Sequence, residues 1–161
     1  MQRDRDDKVS RDAGELVDPT SATRAQNRVT PRRVLVIDDE PTIRVALRRF
    51  FSRMGWEVTE AADGNAAIAL LVGAPGEAVS GAQSFEMVLS DIRMPGLNGI
   101  QLYERLKTAR PDIVRRLVFS TGDVDGLETS DFVSTVGCPV VQKPFMLSEL
   151  RDIAERLTRE P

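Results

Sequence analysis

The chain predicts a doubly wound α/β domain, a parallel sheet covered by helices on both faces. Short apolar runs such as Val34-Leu35-Val36-Ile37 recur along it, too uniformly apolar for a sheet with one wet face. Stretches with apolar residues at helical spacing alternate with these runs, as right-handed crossovers between parallel strands require. Polar residues of distinctive chemistry fall just after several runs, at the carboxyl ends of strands, where such folds hold their ligands.

Residues 1 to 32 are rich in Arg, Asp, Ser, Thr and Gln, a composition that buries too little surface to offset chain entropy. They predict a disordered tail or linker, with one folded domain over residues 33–161. Val34 to Ile37 is the first strand. Pro41 suits the first turn of a helix whose apolar stripe is Ile43, Leu47, Phe50, Phe51 and Met54, and Gly55 stops it. Glu57 to Ala61 reads as a more polar edge strand, and Asp63-Gly64 starts a second helix through Ala67, Ile68 and Leu71. Gly, Ala, Pro and Ser between Gly73 and Ser84 predict a long loop before a third strand over Phe85 to Leu89.

Asn98 caps a helix carrying Leu102, Leu106 and Ala109, which Pro111 is expected to end. The fourth strand is Leu117-Val118-Phe119, followed by a weaker helix over Leu127 to Val136. Val140-Val141 is a short fifth strand, and Leu150, Ile153, Ala154 and Leu157 line the last helix. Five strands with five helices result.

Composition excludes several classes of function. A net charge of -3 leaves no basic footprint for nucleic acid, so direct binding of DNA or RNA is not expected. No apolar stretch is long enough to cross a bilayer, and Met1 to Ser10 lacks the apolar core of a signal peptide, which predicts a cytoplasmic protein. The lone Cys138 has no partner for an internal disulfide and reads as a small buried or half-buried side chain. The chain contains no histidine, so any phosphohistidine donor is another molecule.

Asp38 and Asp39 follow the first strand, Asp91 the third, Thr121 the fourth and Lys143 the fifth. Singly, the carboxylates would be helix or turn caps, the threonine a loop hydroxyl and the lysine a solvated charge. Jointly they converge on one crevice. Carboxylates about 4 Å apart repel by roughly 4 kcal/mol at an effective dielectric near 20, so the cluster calls for a cation. Oxygen ligands without His or Cys suit a hard ion, and a few carboxylates leaving room for water and phosphate suit Mg²⁺ better than Ca²⁺.

The runs VLVIDDE at 34–40, LSDIRMPGLNG at 89–99, STGD at 120–123 and QKPF at 142–145 resemble the receiver domain of response regulators. The likeness covers about residues 33–159. It implies a flavodoxin-like (βα)5 fold with strand order 2-1-3-4-5. It also implies that Asp91 is the phosphoacceptor of a two-component phosphorelay, and that Asp38, Asp39, Asp91 and the backbone carbonyl of Arg93 hold Mg²⁺. Thr121 becomes the switch hydroxyl, Lys143 the phosphoryl-binding lysine, and Lys143-Pro144 a cis peptide. The implied donor is a histidine kinase or histidine phosphotransfer protein. Such a domain is a signalling receiver that catalyses only its own phosphorylation and dephosphorylation.

The interval from Asp39 to Asp91 is longer than usual for the family, which agrees with the loop insertion. Val140 stands where many receivers carry an aromatic switch residue, so signalling is expected to move the loop Gly122 to Gly126 and the following helix instead. Arg93 and Asp123, beside the site, are candidates for tuning the lifetime of the phosphoryl group or are solvated loop charges. The chain ends shortly after the last helix, so output is expected through an unidentified partner protein or phosphoryl relay. Two alternatives stay open: a phosphorylation-independent protein-binding module on the same fold, and a phosphohydrolase using an aspartyl nucleophile. Such hydrolases usually place two Asp residues two positions apart, whereas Asp38 and Asp39 are adjacent.

Overall fold

The computed structural model describes residues 30–73, 84–122 and 126–159. Most of the expected tail, ten residues of the expected insertion and Asp123 lie outside the described residues. Five strands form one sheet: β1 (Arg33–Ile37), β2 (Glu57–Ala61), β3 (Met87–Asp91), β4 (Leu117–Thr121) and β5 (Val140–Gln142). All pair in parallel, in the order β2-β1-β3-β4-β5. The helices are α1 (Pro41–Arg53), α2 (Gly64–Val72), α3 (Gly99–Ala109), α4 (Pro111–Val114), α5 (Leu127–Thr135) and α6 (Leu147–Arg159). Strand order reverses between β1 and β3, which opens a crevice beyond their carboxyl ends.

Alternation along the strands divides the core into two layers. Leu35 and Ile37 of β1, Val88 of β3 and Leu117 and Phe119 of β4 face α2 to α5, meeting Leu71, Leu102, Leu106, Ile113 and Phe132. Val34, Val36, Met87, Leu89, Val118 and Val141 face the other way, onto Phe50 and Phe51 of α1, Trp56, and Leu150 and Ile153 of α6. On the first face, Phe119, Phe132 and Tyr103 form a three-cornered aromatic cluster, with ring centroids 5.1 to 6.2 Å apart and steeply inclined planes. It ties α3, β4 and α5 together.

Helix ends follow the local chemistry. Asp63 caps α2 through the Ala66 N–H at 2.8 Å. Asn98 and Gln101 form a reciprocal capping box at the start of α3, each side chain accepting from the other's N–H. Pro111 departs from expectation. Instead of only ending the preceding helix, it occupies the first turn of α4, where its missing N–H costs nothing. This gives six helices among the described residues where the sequence suggests five.

The third strand also differs, running two residues later than expected. Register with β1 pairs Val34 with Met87 and Ile37 with Ser90, so the strand carries through Asp91. Phe85 is wholly buried just before it, with the Arg33 guanidinium 5.0 Å above its ring. At the domain's leading edge, the Arg32 carbonyl accepts the Glu57 N–H at 2.8 Å and its guanidinium lies 5.9 Å from the Trp56 ring.

Candidate functional site

Asp38 lies one residue beyond β1 and Asp91 is the last residue of β3, so the strand reversal sets these neighbouring strands' carboxylates side by side. Both are buried, at 1% and 5% exposure, whereas Asp39 is exposed. One carboxylate oxygen from each of Asp38, Asp39 and Asp91 lies within 4.8 Å of the others. Lys143, one residue beyond β5, reaches back across the crevice. Its Nζ donates to Asp38 Oδ2 and to Asp91 Oδ2, both at 2.8 Å, and sits 3.9 Å from Glu40 Oε1.

Backbone groups hold the carboxylates from the other side. The Glu40 N–H donates to Asp38 Oδ1 at 2.8 Å, and the Arg93 N–H donates to Asp91 Oδ1 at 3.1 Å. Thr121 closes β4 and is fully buried, and its carbonyl accepts the Lys143 N–H at 2.7 Å, linking the ends of β4 and β5. The Lys143–Pro144 peptide is cis. Among the described residues, no buried side-chain nitrogen or oxygen lacks a hydrogen-bond partner.

Electrostatics follow from burial. Loss of water around Asp91 raises its carboxyl above the ordinary value, against the lowering pull of the Lys143 and Arg93 hydrogen bonds. Burial also works against the Lys143 ammonium, but the hydrogen bonds it donates to Asp38 and Asp91 outweigh this and lift that group above its ordinary value. Lys143 therefore stays charged. Counted as formal charges, three carboxylates and one ammonium give −2 (−3 + 1), which one divalent cation neutralises. An all-oxygen donor set of this charge fits a hard ion such as Mg²⁺.

Space around the loop after β3 is tight. A Cβ on Gly99 would come within 2.5 Å of the Asp91 carbonyl oxygen and 2.8 Å of Ile92 Cα, so the start of α3 lies directly against the strand that presents Asp91. Gly96, with φ +74°, turns the chain between them.

A model of the response regulator receiver domain matches residues 34–155. The chain belongs to that family. Among curated relatives, this receiver is 25% identical to sporulation initiation phosphotransferase F of Bacillus subtilis, covering 77% of the chain and 91% of that protein. It is 31% identical to the transcriptional regulatory protein TcrA of Mycobacterium tuberculosis over 79% of the chain, yet spans only 46% of TcrA. Several other regulators are likewise spanned for half their length or less.

Solved receivers share the fold. The receiver domain protein of Methanospirillum hungatei, described as CheY-like, superimposes with a TM-score of 0.67 at 26% identity, covering 81% of this chain and 96% of that one. The response regulator TrrA of Thermotoga maritima, solved in complex with Mg²⁺ and BeF, gives 0.62 at 27% identity, with 78% and 98% covered.

Asp38, Asp39, Asp91 and Lys143 thus lie together as expected, with Thr121 on the adjoining strand end and Arg93 touching Asp91 through its N–H. Val140 is half-buried against the layer that contains the aromatic cluster. Cys138 is half-buried, burial pushes its thiol up, and its Sγ lies 3.6 Å from the Val114 carbonyl, the environment of an unreactive packing residue. Sequence reasoning missed Arg44, whose Nη1 donates to the Asp38 carbonyl at 2.7 Å. Nothing in its spacing distinguished it from the other arginines of α1. Among the described residues, no helix is long and apolar enough to cross a membrane.

Proposed function

We propose that this receiver accepts a phosphoryl group on Asp91 from the phosphohistidine of a histidine kinase or histidine phosphotransfer protein, and signals through a partner protein. The observation that carries the proposal is the convergence of Asp38, Asp91 and Lys143, with one ammonium 2.8 Å from both carboxylates. In the transfer, an Asp91 carboxylate oxygen forms a bond to phosphorus while the donor's P–N bond breaks. The imidazole leaves with the electron pair and takes up a proton.

Carboxylates are weak nucleophiles, so positioning and charge neutralisation carry most of the rate. Burial raises the basicity of Asp91, and the Arg93 N–H fixes its orientation. Lys143 sits where its ammonium transfers readily from the carboxylates to a phosphoryl oxygen, with the buried Thr121 hydroxyl as a second donor on the neighbouring strand. Asp38, Asp39, Asp91 and the Arg93 carbonyl would hold Mg²⁺. When bound, the ion offsets negative charge on the phosphoryl oxygens as it develops. The same site hydrolyses the aspartyl phosphate, which limits the signal in time. The reading places the protein in the cytoplasm, with residues 33–161 as the receiver and 1–32 as a dispensable tail.

Intact mass after incubation with acetyl phosphate and Mg²⁺ tests the proposal. Wild type gains a single labile phosphoryl group, and Asp91→Asn gains none. Absence of an adduct on folded wild-type protein refutes it and favours the phosphorylation-independent binding module, the reading that Val140 motivates.

A further inference from the structure

Asp38 is held by more than Lys143 and the Glu40 N–H. Its own N–H donates to the Ala61 carbonyl at 3.2 Å, and its carbonyl accepts Arg44 Nη1 at 2.7 Å. Arg44 projects from the first full turn of α1 and is itself braced. Its Nε lies 3.9 Å from Glu60 Oε1 on β2, while Glu60 Oε2 accepts Arg48 Nη1 at 2.7 Å. Arg44 and Glu60 are mostly buried, at 18% and 25% side-chain exposure, so the pairing is screened less than a surface contact.

The placement of Arg44 is costly by ordinary rules. Helix N-termini favour anions, yet the first turn of α1 holds no acid, the Glu40 side chain makes no capping bond, and a guanidinium stands near that end. That cost is offset where Arg44 makes its contacts, on Asp38 and Glu60. The backbone of Asp38 is thereby gripped at both its N–H and its carbonyl, from β2 and from α1. Only the carboxylate faces the crevice, its two oxygens accepting from the Glu40 N–H and Lys143.

We propose that Arg44 is a positioning residue for the acidic cluster: its hydrogen bond to the Asp38 carbonyl, braced by Glu60, fixes the Asp38 carboxylate for cation binding. The inference rests on the reading of Asp38, Asp39 and Asp91 as a Mg²⁺ site. It makes a prediction opposite in sign to simple electrostatics. Removing a positive charge beside three carboxylates should tighten a divalent cation, whereas removing a positioning contact should weaken it. Partners that orient metal ligands typically change affinity about 10- to 100-fold.

The test is Mg²⁺ binding to the full chain by calorimetry, with the unfolding midpoint in EDTA recorded for each variant. Arg44→Met should weaken Mg²⁺ roughly tenfold or more. Arg49→Met, which removes the same charge from an exposed position on the same helix, should leave affinity near wild type. Glu60→Gln, which keeps the shape of the brace but loses its charge, should fall between, and it reads the same contact should Arg44→Met fail to fold. Tighter or unchanged binding in both Arg44→Met and Glu60→Gln overturns the inference. Equal losses in Arg44→Met and Arg49→Met also overturn it, because charge or helix stability would then be the cause. If wild type binds no Mg²⁺ at all, the metal-site reading itself fails, and the Arg44 inference with it.

Discussion

Lys143→Met offers a quantitative check on the site's electrostatics. The substitution keeps the aliphatic stem but removes the ammonium that lies 2.8 Å from both Asp38 and Asp91. With carboxylate oxygens within 4.8 Å of one another, each uncompensated pair then repels by about 3.5 kcal/mol at an effective dielectric near 20. The cluster can escape by protonating Asp91, already raised by burial, but at neutral pH that also costs free energy. Breaking a buried pair by deleting one partner typically costs about 3–5 kcal/mol, in line with the Coulomb figure.

Without metal, a loss of about 3 kcal/mol corresponds to roughly 10 °C in Tm for a domain of this size. Mg²⁺ should restore part of it. The variant's cluster carries −3 rather than −2, so its Tm should climb further with Mg²⁺ than that of wild type, since a ligand of the native state stabilises by mass action. Differential scanning calorimetry in EDTA and across a Mg²⁺ series measures both effects. A loss below about 1 kcal/mol in EDTA, the range of a surface ion pair, would refute the account of Lys143 as the counter-charge of a buried acidic pair. So would a smaller Mg²⁺ response than wild type.

Asp91→Asn should behave oppositely in metal-free buffer. Because burial raises the Asp91 pKa in the folded state, the native protein binds that proton more tightly than the unfolded chain. Wild-type stability from this group therefore rises as pH falls through the raised value and levels off below the unfolded one. The variant should be the more stable at neutral pH, with a gap that narrows on acidification; urea denaturation over that pH range measures it, and a constant gap would contradict the shift. Gly99→Ala also separates two expectations of opposite sign. Helix propensity alone favours Ala by about 1 kcal/mol, whereas a Cβ 2.5 Å from the Asp91 carbonyl oxygen should destabilise by about 1–3 kcal/mol and slow phosphoryl uptake. A stabilised variant with unchanged uptake would show that the strand yields freely.

Much of this was legible because two periodicities agree. Uniformly apolar runs marked strands buried on both faces, and the stripe of Leu47, Phe50 and Phe51 marked the helix that covers one face. Since the fold directs strand ends to one crevice, polar residues at or just past the carboxyl ends of strands located Asp38, Asp91 and Lys143. Propensity was blind to register. Apolar character puts Phe85 in the third strand, two residues early, but pairing with β1 decides where the ladder begins, and Phe85 packs below it. Pro111 misled for a related reason, since a proline that cannot continue one helix is well suited to start the next. Arg44 was invisible because its role depends on Glu60, sixteen residues on in the chain and brought near only by the pairing of β1 and β2. The contacts of Trp56 with Phe51 and Arg32 likewise exist only once α1 and β1 are packed.

The two outer strands of the sheet bear on how the domain meets other molecules. β2, at one edge, carries Glu57 and Glu60, and β5, at the other, is only three residues long. Charge on one border and brevity on the other are features that discourage a foreign strand from extending a sheet. Both borders thus work against edge-to-edge pairing of the sheet with a second copy at high concentration.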